Sequence, residues 1–281
     1  MVSLSTSIHS IPNTILSYYP VLTSPQCSGV TTVFNFAPNN WEARFRGSRF
    51  LNASYSVDDS WYSTCLGEVE DGASVSITEA HLRASIIGLD TSSTCYLSFG
   101  AEPAQQVSDA LPKSSIPVTS VPAWRASLGL VAPTGSSISY QGEIDPFPAP
   151  GSLLTFGHFL QPSPLVTNSL MFVNLEKSAR QRRGFMELRD ANNPSGLLAE
   201  VEVTNNRVNF ISLDNLGFTD ECLPLLVCRQ MSGIPLYFSH THDFSALSLE
   251  HTHPPASIVI HGDRFKAQRI MKTCWFSKIG R

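Results

Sequence analysis

Short runs of alternating or β-branched apolar residues, each stopped by turn residues within a few positions, recur along the whole of this 281-residue chain. Residues 29–36, 73–77, 94–99, 136–140, 198–203, 207–213 and 257–260 all follow that pattern. Period-two patterning suits a strand with one face buried, and turns between such strands suit an antiparallel sheet. Nineteen prolines and seventeen glycines, spread throughout, would interrupt long helices but are tolerated at strand ends. The expected fold is therefore mainly β: an antiparallel β-sandwich or barrel, in one unit or two β-rich subdomains, with a short C-terminal helix.

Composition narrows the class. A hydrophobic share of 42% against 15% charged residues supplies a core and excludes a disordered chain. A formal charge of −4 lacks the basic excess of a dedicated nucleic-acid binder, which leaves only a local basic patch for such a partner. No run approaches the roughly twenty apolar residues of a membrane span. Residues 1–12 show no basic leader, continuous apolar run or small-residue cleavage site, so a cytoplasmic location is expected. The six cysteines, at 27, 65, 95, 222, 228 and 274, are widely and irregularly spaced, which fits reduced thiols better than a disulfide framework.

Between residues 102 and 123 the chain turns rich in Pro, Ser, Gln and Ala, with prolines at 103, 112, 117 and 122. Such a run cannot pack a core of its own. It divides the sequence into an N-terminal β-rich region (1–101), a linker or crossover (102–123) and a C-terminal β-rich region (124–281). A second proline cluster at 145–151 reads as a rigid connection. Residues 201–210 read as a hairpin around Asn205-Asn206, since asparagine accepts the positive φ of a tight turn. At the C-terminus Asp263 can cap a helix from Arg264 to about Ser277. Ala267, Ile270, Met271, Cys274 and Trp275 share one face of it, and Arg269 and Lys272 lie elsewhere. That basic helix is the surface expected to meet a protein partner.

Five of the eight histidines fall between His240 and His261. Two His-Thr-His triplets, His240 to His242 and His251 to His253, flank an eight-residue interval. On a strand, residues i and i+2 face the same way. An antiparallel hairpin that opposes His240 to His253 and His242 to His251 would gather four imidazoles, with opposed Cβ atoms roughly 4.5 to 5.5 Å apart. Imidazoles select transition metals, zinc or iron first among them. A metal with an open position would activate water, and Asp243 or Glu250 would serve as carboxylate ligand or proton acceptor. His251-Thr-His253-Pro254 resembles the core motif of the zinc isopeptidases that remove ubiquitin-like modifiers, although the serine of that pattern is missing and Asp263 stands one residue too near. The triplets are also similar to cupin metal sites, without the glycine and glutamate that frame those.

Other chemistry-bearing motifs are few. No Gly-x-Ser-x-Gly elbow, P-loop or dinucleotide glycine run occurs. Lys177, Arg180, Arg182 and Arg183 crowd one stretch and offer an anion clamp. Trp41, Arg44, Arg46 and Arg49 offer an aromatic and guanidinium surface. Two functions follow: a histidine-lined transition-metal site serving a metal-dependent hydrolase or oxygenase, or a non-catalytic binding or assembly module acting through protein–protein contacts.

Overall fold

The computed structural model describes residues 17–35, 47–86, 89–90, 93–112, 126–142, 144, 146–147, 151–157, 164–214, 216, 222–251 and 264–280. Among them the strands form four antiparallel sheets in a sandwich-like stack, and none closes into a barrel. With strands numbered in chain order, the first sheet runs β1 (Tyr19–Pro20), β6 (Tyr96–Gly100), β3 (Arg49–Val57), β4 (Ser60–Val69), β7 (Gln105–Ser108). The second runs β5 (Ser74–Thr78), β2 (Ser28–Phe34), β8 (Ala126–Val131), β9 (Ser137–Gly142). The third runs β14 (Val208–Ser212), β11 (Val166–Val173), β16 (Ile234–Thr241), β17 (Leu247–His251). The fourth runs β10 (Leu153–Phe156), β15 (Pro224–Cys228), β12 (Arg183–Asp190), β13 (Asn193–Thr204). Two helices complete the fold, α1 (Glu79–Ser85) and α2 (Arg264–Ile279). Neither is long and apolar enough to cross a membrane.

Strand period and burial agree where one face meets water: β2 alternates buried and half-buried residues along Ser28–Phe34. Gly29 in that strand is fixed by close approach, because a Cβ there would fall 1.8 Å from the Leu22 carbonyl oxygen. The third sheet differs, since β11 and β16 are buried on both faces. One face of it, with Met171, Val173, Leu236, Phe238 and Leu249, shares a core with Trp61, Tyr96 and Leu97 of the N-terminal sheets. The other face, with Leu170, Phe172 and Tyr237, packs on Met186, Leu188 and Leu226 of the fourth sheet. A doubly buried strand needs a continuous apolar run instead of alternation, as β15 with its Pro-Leu-Leu-Val-Cys also shows.

The stretch 102–123 contributes β7, paired with β4 through Trp61↔Ser108, and β8 still pairs with β2, so sheet partners change between Gly142 and Leu153. Two expectations change here, those for residues 201–210 and for the packed face of α2. Residues 201–210 do not form a hairpin. Asn206 does take φ 56°, but β13 and β14 belong to different sheets, so this turn carries the chain across the sandwich. On α2, Trp275 packs on the sheet as expected and Ile270 does not. Trp275, Phe276 and Ile279 pack on Leu154, Leu225 and Val227, while Ile270 stays 59% exposed. Seating Phe276 beside Trp275, at about 150–250 Å² of burial for each aromatic, outweighs burying Ile270. Lys272 is half-buried and donates from Nζ to the Ser152 carbonyl at 2.6 Å, so it is no free cation. Residues 257–260 and Asp263 lie outside the described residues.

Candidate functional site

The histidine segment does fold as an antiparallel hairpin, in another register. β16 and β17 pair His240 with Leu247, Phe238 with Leu249 and Leu236 with His251. Apolar burial decides this. The observed register places Leu247 and Leu249 against the core beside Phe238, each side chain worth about 1.5–3 kcal/mol when fully buried. The register that opposes His242 to His251 would put Leu247 in the turn and leave Leu249 opposite Phe244 at its edge. The turn is instead His242 to Ala246, with Phe244 at φ 56°. Ser245 donates from its amide (3.1 Å) and hydroxyl (2.8 Å) to Asp243 Oδ1. Hydrogen bonding from the Thr241 side chain first, and then these two Ser245 bonds, hold the Asp243 carboxyl down at about 2.

The three described imidazoles of the four are consequently not gathered. His240 and His251 share a face but stand four residues apart along the ladder, about 13 Å at the rise of a strand. Two ligands of one zinc ion each need a nitrogen about 2.0–2.1 Å from it. His242 is exposed in the turn, and His253 lies outside the described residues. His240 is buried, and both its nitrogens are taken: Nδ1 donates to the Thr241 carbonyl at 2.9 Å, and Nε2 meets the Gln26 side-chain amide at 2.7 Å. Its ring stacks on Phe244, centroids 4.4 Å apart. His251 rests on Tyr140 of β9, centroids 5.7 Å apart. Glu250 is exposed and accepts from the Ser248 hydroxyl at 3.3 Å. Among the described residues no three His, Cys, Asp or Glu side chains are placed to hold a metal ion.

In the two basic clusters, Arg182, Arg183 and Arg49 are engaged by neighbouring groups. Arg182 donates from Nη1 to both Glu176 carboxylate oxygens at 3.1 Å and from Nη2 to the Gln230 carbonyl at 2.9 Å. Arg183 pairs with Glu202 at 3.4 Å. Arg49 is buried and donates to Asn35 Oδ1, and desolvation lowers its pKa. Trp41, Arg44 and Arg46 lie outside the described residues.

Sequence reading missed two features of the surface. The first is a polar cleft of about 490 Å³ where the β3–β4 turn meets residues 179–181 and the turn at 205–207. Asp58 and Asp59, at φ 48° and 58°, stand on its rim with Asp90, opposite Arg207. Gln181 donates its amide to Asp59 Oδ1 at 2.6 Å across it. Asn205 and Asn206 of its lining are buried and bonded to the buried Glu176: the Glu176 backbone amide donates to Asn206 Oδ1 at 2.7 Å and Asn205 Nδ2 donates to Glu176 Oε2 at 3.3 Å. These groups can bind a polar solute, and they pair no nucleophile with a base.

The second is the outer face of the fourth sheet. α2 covers its β10–β15 half, clamped where Arg229 donates to the Gly280 carbonyl at 3.0 Å and to Glu187 at 2.9 Å. On the β12–β13 half, where α2 also touches β13, Phe185 stays 43%, Leu197 50% and Leu198 39% exposed. The ladder explains the leucine pair. Arg189 opposes Leu197 and Leu188 opposes Ala199, so Leu198 is an extra residue in a bulge and both leucines face outward. No protein-family model, curated protein or solved structure matches this chain.

Proposed function

We propose that the protein is a non-catalytic binding or assembly module that acts through protein–protein contacts on the outer face of the fourth sheet. One observation carries the reading: a sheet face partly covered by its own helix leaves three large apolar side chains in water, Leu197 and Leu198 side by side on β13 and Phe185 four ladder positions along on the neighbouring β12. Scattered exposed apolar residues are ordinary, whereas a contiguous group beside charged residues marks an interaction surface. The engaged nitrogens of His240 and the wide spacing of His240 and His251 favour this over metal-dependent hydrolysis or oxygenation.

Carbene footprinting tests it. Phe185 and Leu198 are expected to be labelled strongly in dilute purified protein and weakly inside the cells that make it, while exposed Val107 and Leu165 label alike in both. Equal labelling of Phe185 and Leu198 in the two settings refutes the reading.

A further inference from the structure

We infer that the occupant of the open β12–β13 strip is a second copy of this chain, which lays the outer side of its α2 there and receives the same contact in return; this rests on the reading above. Reciprocity follows from position, because α2 and the strip lie side by side on one sheet face, with α2 touching β13. A two-fold axis between two such faces brings each helix onto the other copy's strip at once. Apolar groups match: α2 presents Ile270, 59% exposed, and the strip presents Phe185, Leu197 and Leu198.

Charge matches as well. The helix carries five basic residues and no acidic one. Lys272 is spent on Ser152, whereas Arg269 and Lys278 are exposed. The strip offers Glu200 and Glu202, both exposed. Glu200 makes no ion pair among the described residues. Glu202 holds Arg183 at 3.4 Å in an open pair, at 69% and 49% exposure, that exchanges partners at little cost. Edge-to-edge addition of β13 is the competing geometry, and the strand is blunted against it. The bulge at Leu198 bends the edge, and Arg189 Nη1 donates to the Pro194 and Ser195 carbonyls at 3.1 and 2.9 Å.

Sedimentation over a concentration series tests the inference on the full chain. A monomer–dimer equilibrium is expected for the wild type. Glu200→Lys and Arg269→Glu should each weaken dimerisation about five- to tenfold by opposing like charges, and the Glu200→Lys/Arg269→Glu pair should return to within about threefold of wild type. Leu198→Asp should leave monomer only. Thermal midpoints of these surface variants, read alongside, confirm folded protein. A wild type that stays monomeric, or a dimer indifferent to Leu198→Asp and to both charge reversals, overturns the inference. If in that case Phe185 and Leu198 are still protected in cells, the interaction reading survives with another partner; if they are not, both fall.

Discussion

Replacing His240 with alanine separates a core histidine from a metal ligand. The imidazole is 3% exposed, between Phe238 at 5.3 Å and Phe244 at 4.4 Å. Removing a buried aromatic side chain of phenylalanine size costs about 3–5 kcal/mol, and the smaller, polar imidazole sits lower, at about 2. Loss of ring stacking adds about 0.5–1.5 kcal/mol and loss of the two hydrogen bonds about 1. Gln26 is exposed and regains water, which removes an orphan penalty. The total is about 3.5–4.5 kcal/mol, read by urea denaturation. His240→Phe keeps the stack and loses the hydrogen bonds, so about 1 kcal/mol is expected. Zinc or a chelator should leave wild-type stability and both decrements unchanged. Were His240 a ligand, zinc at a hundredfold its dissociation constant would stabilise the wild type by about 2.7 kcal/mol and leave His240→Ala unmoved. Either that zinc response or a His240→Ala loss below about 1 kcal/mol refutes the reasoning.

Three further outcomes follow from single contacts. Glu176→Ala strands Arg182 against a carboxylate site that is 3% exposed, and partial access of Arg182 to water brings the expected loss to about 2–3 kcal/mol in denaturant melts, with Glu176→Gln milder. Ser169→Ala should be neutral or raise stability by up to about 1 kcal/mol, since its buried hydroxyl makes no hydrogen bond among the described residues; a clear loss would reveal a partner. Asp243 is held at about 2, below its ordinary 3.8, so the stability it contributes is complete above the ordinary value and fades as pH falls through about 2. Asp243→Asn should flatten the acid limb of the stability curve in that window, and an Asp243 carboxyl titrating near 4 by NMR would contradict the turn geometry.

The sequence made the half-buried strands readable and left the doubly buried ones obscure. β2, β5 and β9 alternate, and all fall where the pattern places them. β15 is apolar at every position, a run that periodicity cannot tell from a buried helix. Turn chemistry was legible at Asn206, whose φ of 56° is as expected, but whether the next strand pairs locally or crosses to another sheet depends on partners far along the chain. The histidine register failed for a related reason. Symmetric spacing of His-Thr-His says nothing about where Leu247 and Leu249 must go, and burial of those leucines set the pairing. The short α1 did leave a signal, Thr78 capping the His81 amide at 3.1 Å with Glu79 and Arg83 four apart, too brief to stand out among strands. The cleft residues left none, because Asp58, Asp90 and Arg207 meet only through the tertiary fold.

The third sheet makes the C-terminal half dependent on the N-terminal half, and a fragment tests this. Expressed alone, residues 143–281 would expose Met171, Val173, Leu236, Phe238 and Leu249, which in the full chain pack with Trp61 and Tyr96. At about 1.5–3 kcal/mol each, their exposure costs on the order of 10 kcal/mol, as much as the whole net stability of a typical domain. The fragment would also lose hydrogen bonds across the junction. The Trp61 indole donates to the Lys177 carbonyl at 3.1 Å, the Val208 amide donates to Thr94 Oγ1 at 2.8 Å, and the Tyr96 hydroxyl donates to the Asn174 carbonyl. The fragment is therefore expected to aggregate or to lack a cooperative unfolding transition, and co-expression with residues 1–142 should rescue it. A soluble fragment that unfolds cooperatively at the midpoint of the full chain would mean that the shared core adds little, and that the third and fourth sheets hold each other without the layer beneath.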